Sequence, residues 1–381
     1  MRVASGLING YHFQQPFSLW LQEIFRQHRH FGSKDRKFYR EAFYGYWKLG
    51  DFGAGLTTEQ KLLAGLLRMN PDDSLLLSII PDFFPNNSGM RSFNDIAITV
   101  GQDWNPYAPY NSQITSAVNL TKLNHWFGLQ APVWLKYNPI HKQELLAFLN
   151  AKSINYIEHN KNTIKTGAGN LDDAVTKGLC RVQDLGSQES LYEELFDHTG
   201  LVWDACCGGG GKSLLVNDLN PDVTLYISDN RSQMIHNALL RFSAEGKKIP
   251  FSCTADLSRS IKSLNFNDKI RISKPVFDTI ICDVPCSGSG TWRRSPEMLC
   301  TFSVNELETY AKKQRSIVGN ALPFLKPGGK LIYLTCSIFE VENESNSGCF
   351  QRELGMKLIS EDYCGGYNKD ADFIYQAVFE K

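Results

Sequence analysis

The sequence contains no CxxC pair among its ten cysteines, and no Cys or His spacing suggests a zinc ribbon. No metal site is therefore expected. It also has no net charge, since 40 Lys+Arg balance 40 Asp+Glu. A surface that is basic throughout is excluded, although a local basic face is not. No uninterrupted apolar run approaches about 18 residues, which rules out a conventional transmembrane helix, so no membrane association is expected. The opening MRVASGLINGYHFQQPF has no charged start followed by an apolar stretch, and so no signal peptide is expected. There is no internal repeat and no low-complexity segment. What remains is 381 residues with 42% hydrophobic and 21% charged content, enough for two or three domains. A reduced, cytoplasmic, monomeric enzyme is the expectation.

Residues 1–115 read as mostly helical, with Phe17, Leu19, Leu21, Ile24 and Phe25, then Tyr39, Phe43, Tyr46 and Trp47, at helical spacing. Between these stripes, Arg26 to Arg40 carries six Lys/Arg against one acid. This is either a solvated helix pair around a Gly turn or a face for RNA phosphates. Pro85 to Pro109 is rich in Asn, Pro, Gly and Ser and reads as loop. Residues 116–185 read as a small, mildly basic α/β module, with strands in Val133–Asn138, Ile154–Asn160 and Leu179–Asp184 and helices in HKQELLAFLNAK and Leu171–Gly178. From 186 to 381, apolar strands alternate with helices: Leu201–Cys206, Val223–Asp229, Pro250–Asp256, Phe277–Val284 and Lys330–Ser337. That alternation predicts a mostly parallel α/β sheet with helices on both faces and ligands at the strands' carboxyl ends.

The first of these strands ends in Asp204 and runs through Cys206-Cys207-Gly208-Gly209-Gly210-Gly211-Lys212 into a helix. Consecutive glycines let a ligand approach the backbone at a helix N-terminus. A phosphate-binding loop would need glycine at 206, and a dinucleotide fingerprint would need one at 213, so both patterns fail. Asp229 closes the second strand, 21 residues after Gly208, where a carboxylate accepts ribose hydroxyls. Asp256 closes the third, placed for an adenine amino group. Singly, each acid also suits a helix N-cap. Together, with no phosphate lysine in register, they favour S-adenosyl-L-methionine.

The fourth strand ends in DVPCSGSGTWRR, with Asp283, Pro285 and Cys286, and the fifth ends in YLTCSIFEVENE, with Thr335 and Cys336. A lone cysteine at a strand end is usually a small buried hydrophobe, the reading given to Cys206, Cys207, Cys253 and Cys282 as strand neighbours. Two thiols on adjacent polar loops beside a methyl donor suit methylation of carbon 5 of cytosine. That carbon becomes nucleophilic once a thiolate adds to carbon 6. Asp283 is placed to act at ring nitrogen 3, provided it is protonated or shares a proton. The base must be flipped or single-stranded to be reached, and Trp292, Arg293 and Arg294 follow the Cys286 loop as candidate contacts to it.

DAC…GGK, PCSGSGTWRR and TCSIFEVENE, in this order, resemble the motifs of the RNA cytosine-5 methyltransferases of the RsmB/Sun/Nop family. VQDLGS (Val182–Ser187), PVWLKYN and DADFIYQAVF (Asp370–Phe379) are similar to further family segments. FGSKDRKFYREAFYGYWKL resembles the NusB-like helical domain that precedes the catalytic part of a ribosomal RNA member. The resemblance implies a Rossmann-like methyltransferase domain with an antiparallel last strand, behind an RRM- or ferredoxin-like module and an all-α NusB-like domain. It implies Cys336 as nucleophile, Cys286 as the group that assists release, and Lys212, Asp229, Asp256 and Asp283 as cofactor and catalytic residues. Asp204, Cys206, Gly208, Gly209, Gly210, Arg231 and Pro285 complete the expected cofactor set. The family's Ala-Ala-Pro-Gly-Gly-Lys is here a loop without its proline, which should be more flexible. Small-subunit ribosomal RNA is the expected partner. Transfer RNA, a DNA substrate, or a non-catalytic ribosome-assembly role on the same fold remain alternatives.

Overall fold

A computed structural model of the chain describes residues 1–85, 89–167 and 169–381. The backbone divides into two compact units: Met1–Gln130 with Thr291–Val304, and Ala131–Gly290 with Asn305–Lys381.

The first unit is helical. Its longer helices are Phe17–Gln27, Ser33–Lys48 and Thr58–Met69. The last two cross backbone to backbone, because a Cβ on Gly65 would stand 2.3 Å from the carbonyl carbon of Gly45. Phe17, Trp20, Phe43 and Trp47 form its aromatic centre. Two expectations change here. Within Pro85–Pro109 lies a helix, Phe93–Val100, capped by the Ser92 hydroxyl on the Asp95 N–H and stopped by left-handed Gly101. Its eight apolar-rich residues outweigh the turn-forming flanks that dominated the composition; Asn86–Ser88 lie outside the described residues. The unit also runs past 115 to Gln130, because Phe127 packs on Trp104 and Tyr107.

In the second unit, β1 (Val133–Lys136), β2 (Tyr156–Asn160), β3 (Thr163–Thr166) and β4 (Arg181–Val182) form an antiparallel sheet in the order β2-β3-β1-β4. With helices Lys142–Ala151 and Asp172–Thr176 between strands, this is the ferredoxin-like βαββαβ arrangement. β3 was not evident in the sequence because TIKT is a short, weakly alternating segment after a turn.

The large sheet comprises β5 (Leu201–Asp204), β6 (Thr224–Asp229), β7 (Phe251–Thr254), β10 (Phe277–Asp283), β11 (Leu325–Thr335), β12 (Lys357–Gly365) and β13 (Phe373–Glu380). A separate hairpin, β8 (Leu264–Phe266) and β9 (Ile270–Ile272), follows β7. The strand order is β12-β13-β11-β10-β5-β6-β7, parallel from β11 through to β7, with β13 antiparallel to β11. The antiparallel terminal strand expected from the family pattern is present. Alternating residues feed two cores: Trp203, Ile280, Cys282 and Tyr333 on one face, Val202, Ile281, Ile332 and Leu334 on the other. Strand order reverses between β5 and β10, so the crevice for a ligand opens at the carboxyl ends of these strands.

Candidate active site

At the end of β5 the chain turns through Ala205–Gly210 into helix Gly211–Leu219. Gly208 and Gly210 adopt φ of +50° and +79°, where a side chain would be strained. Although the loop lacks a proline, it is held on several sides. The Gly208 N–H donates to Asp229 Oδ2 at 3.0 Å, the Cys207 N–H donates to the Ser228 carbonyl, and the Arg241 guanidinium donates to the Gly209 carbonyl at 2.8 Å. A Cβ on Gly208 would meet open space, so this side of the loop is accessible to a ligand.

Asp204 is wholly buried, and its Oδ2 accepts from the Ser213 hydroxyl at 2.5 Å. Its Oδ1 has no hydrogen-bond partner among the described residues. Burial raises its pKa to about 7 against the opposing Ser213 hydrogen bond, with Asp283 adding to the rise. Asp229, also buried, accepts at Oδ1 from the N–H and the Nε of Arg231, whose side chain is 61% exposed. Asp256 lies at the rim, accepting from the Ser258 hydroxyl at 2.6 Å, a bond that lowers its pKa. Asp256 also lines a cavity of about 820 Å³ beyond the end of β7, together with Ile235 and Thr254. Cys206 is partly buried, and burial pushes its thiol well up.

β10 and β11 run parallel with Asp283 opposite Leu334, which brings the two cysteine loops side by side. The Cys336 N–H donates to the Cys286 sulfur at 3.3 Å. The Cys286 thiol is pushed well above its ordinary value by a side-chain hydrogen bond to the Cys336 thiol, by burial and by the nearby Cys336 and Glu342 side chains. Lys212, from the start of the glycine-loop helix, reaches across to Asp283 Oδ2 at 2.7 Å. Burial would lower the Lys212 ammonium, but Asp283, Cys336 and Asp204 outweigh it and hold it above its usual value. Pro285 is exposed, and its carbonyl accepts from Gln314. Lys212, Asp283, Cys286 and Cys336 thus share one neighbourhood, with Asp204 and the glycine loop beside it. Asp256 and Arg231 lie toward the other end of the crevice.

Two expectations fail. Trp292 is fully buried and Arg293 is 3% exposed, both within the helical unit. The Trp292 ring stacks on Tyr107, and the Arg293 guanidinium donates to the Leu129 and Gln130 carbonyls and lies over the Trp126 ring. Neither is available to a nucleic acid; Arg294 is exposed. Sequence reasoning also missed Ser287, Ser337 and Glu342, which join the two cysteine loops. The signal present was a serine directly after each cysteine and the central acid of Glu340-Val341-Glu342-Asn343-Glu344 shortly after Cys336. No His/Cys/Asp/Glu group suited to a metal and no helix long and apolar enough to cross a membrane occur among the described residues.

Residues 195–363 match the family model for 16S rRNA methyltransferase RsmB/F. Ribosomal RNA small subunit methyltransferase B of Shewanella oneidensis is 29% identical over 238 residues, 58% of this chain and 50% of the relative. The Coxiella burnetii protein, a probable ribosomal RNA small subunit methyltransferase B, is 30% identical over 171 residues, 44% of this chain and 38% of the relative. The chain therefore spans about half or less of the length of these relatives. Among solved structures, PH0851 superposes with a TM-score of 0.72 at 17% identity, covering 100% of this chain and 97% of the other. NSun6 from Pyrococcus horikoshii with SFG superposes at 0.55 and 14% identity, covering 69% and 94%. At such identities these two likenesses speak for the fold. Over residues 195–363, which hold the glycine loop and both cysteine loops, the chain is similar to the RsmB/F methyltransferases.

Proposed function

We propose that this protein transfers a methyl group from S-adenosyl-L-methionine to carbon 5 of a cytosine in small-subunit ribosomal RNA, through a covalent bond between Cys336 and carbon 6. The observation that carries this reading is the pairing of Cys286 with Cys336 on adjacent strand ends, next to the Lys212–Asp283 pair.

The cofactor reading draws on the open approach at Gly208, the carboxylates at three successive strand ends, and the unpartnered, buried Asp204 Oδ1, which suits a ligand ammonium. Asp229 suits ribose hydroxyls, with the exposed Arg231 side chain free to give way, and Asp256 suits the adenine end. The bound cofactor supplies an electrophilic methyl group. SFG, held by the Pyrococcus horikoshii NSun6 structure, is an analogue of this cofactor.

In the reaction, the Cys336 thiolate adds to carbon 6 of the base. The Lys212–Asp283 pair acts at ring nitrogen 3, the Lys212 ammonium stabilising charge as the adduct forms. Carbon 5 then takes the methyl group, its proton passes to solvent, and the carbon–sulfur bond breaks. Cys286, whose raised pKa keeps it a neutral thiol, donates a hydrogen bond to the departing Cys336 sulfur. The exposed Arg26, Arg29, Lys34, Lys37 and Arg40 supply phosphate contacts from the helical unit.

The test is to incubate the protein with unmodified 16S rRNA and with transfer RNA, using tritiated S-adenosylmethionine and bisulfite sequencing. One new 5-methylcytosine in 16S rRNA is expected. Methylation of transfer RNA instead would overturn the substrate, and cofactor binding with no methyl transfer to either would overturn the activity.

A further inference from the structure

Glu342 lies six residues beyond Cys336, fully buried, and all four donors it meets are uncharged. Its Oε1 accepts from the Ser287 N–H at 2.9 Å and from Gln314 Nε2 at 2.8 Å. Its Oε2 accepts from the Ser287 hydroxyl at 2.5 Å and the Ser337 hydroxyl at 2.6 Å. The four acceptor positions of the carboxylate are thereby filled. Ser287 directly follows Cys286, and Ser337 directly follows Cys336. Ser289 extends the lattice, within 3.1 Å of the Ser287 hydroxyl and 3.2 Å of that of Ser337, and accepts from the Ile338 N–H. On the far side, Gln314 also donates to the Pro285 carbonyl, one residue before Cys286.

We infer that Glu342 is a positioning residue for both thiols, setting the separation of Cys286 from Cys336 by pinning the serine that follows each. A buried carboxylate without a counter-cation is costly unless several hydrogen bonds converge on it. Here every bond that compensates that cost comes from one of the two cysteine loops or from the glutamine that also holds the Cys286 loop at Pro285. Loss of the charge weakens the anchoring of both serines and leaves the loops joined only by their direct contacts, such as those of Ser289 with Ser337 and Ile338, and a misplacement of about 1 Å costs on the order of 100-fold in rate. The inference rests on the methyl-transfer reading for its kinetic consequence, but the placement of the thiols can be measured without RNA.

The experiment compares wild type with Glu342→Gln, Ser287→Ala and Ser337→Ala. Three readouts are taken: thermal unfolding, the iodoacetamide alkylation rates of Cys286 and Cys336 resolved by peptide mass spectrometry, and methyl-transfer kinetics. Glu342→Gln is expected to change both alkylation rates by about fivefold or more and to lower kcat at least about tenfold, with KM for the cofactor within about threefold. Ser287→Ala is expected to act chiefly at Cys286, raising the trapped RNA–protein adduct, and Ser337→Ala chiefly at Cys336, lowering it. Should Glu342→Gln unfold, the two serine variants, each sparing the carboxylate, carry the same comparison. Wild-type alkylation rates and kcat in all folded variants would overturn the inference. Altered alkylation in the variants, together with a wild-type protein that never methylates RNA, would leave the positioning role standing and overturn the methyl-transfer reading instead.

Discussion

Lys212 Nζ lies 2.7 Å from Asp283 Oδ2, tying the helix that follows β5 to the end of β10 across the point where strand order reverses. Lys212 is 8% exposed and Asp283 28%. Lys212→Met strands a carboxylate beside Asp204. It should destabilise the chain by about 2–3 kcal/mol, less than a fully buried pair because Asp283 is partly solvated. It should also lower methyl transfer by about 100-fold or more. Thermal unfolding and single-turnover transfer check the two effects separately, and transfer within threefold or so of wild type would remove the pair from the reaction.

The two left-handed glycines of the cofactor loop should respond differently. A Cβ on Gly210 would lie 2.8 Å from the Ala238 Cβ, whereas one on Gly208 meets nothing within 4 Å. Gly210→Ala therefore combines backbone strain with a clash and should cost about 2–4 kcal/mol of stability. Gly208→Ala should cost only about 1 kcal/mol, because strain acts alone. Its methyl group instead projects where the ligand approaches, so cofactor affinity measured by calorimetry should fall at least about tenfold. Unchanged affinity in Gly208→Ala would move the cofactor away from this side of the loop.

The ferredoxin-like module is fastened to the large sheet by Arg181, 6% exposed, which pairs with Asp218 and, at 2.9 Å, with Glu245. Arg181→Met takes the guanidinium away from two partly buried acids, of which Asp218 keeps its ion pair with Lys247. A loss of about 3 kcal/mol is expected, read as a lowered urea midpoint. A midpoint equal to that of wild type would show that apolar packing alone holds the module.

Stability should also report the buried acid of β5. In the folded chain Asp204 titrates at about 7, raised from 3.8 mainly by burial. Between these values the folded state keeps a proton that the unfolded chain releases, so stability falls as pH rises from about 4 to about 7, by up to roughly 4 kcal/mol. Asp204→Asn removes this dependence. Unfolding midpoints at about pH 5 and about pH 7.5 should diverge in wild type and converge in the variant. Parallel profiles would contradict the placement of a neutral Asp204 at low pH.

Much of the catalytic unit was legible from sequence because its strands are apolar runs that end in polar, chemically specific loops. LVWDAC, FDTIICDV and KLIYLTCS each have the apolar run of a strand, and parallel pairing of β10 with β11 follows from their alternation with helices. Periodicity could not separate Trp292 and Arg293 from a nucleic-acid face. Their partners Tyr107, Leu129 and Gln130 lie more than 160 residues away in sequence. Nor could it assign Glu342, whose importance lies in four donors from two loops and a helix. The helix at Phe93–Val100 was hidden by its flanks, since an Asn- and Pro-rich surround says nothing about the Ser92 cap inside it.

The division of labour between the two thiols is tested most directly by trapping. Cys286→Ala and Cys336→Ala are each incubated with cofactor and unmodified 16S rRNA and then resolved under denaturing conditions. The account predicts that Cys286→Ala accumulates a covalent RNA–protein complex, because release loses its hydrogen-bond donor. Cys336→Ala should be inactive and form no complex. A complex that survives the loss of Cys336 would contradict the assignment of the nucleophile.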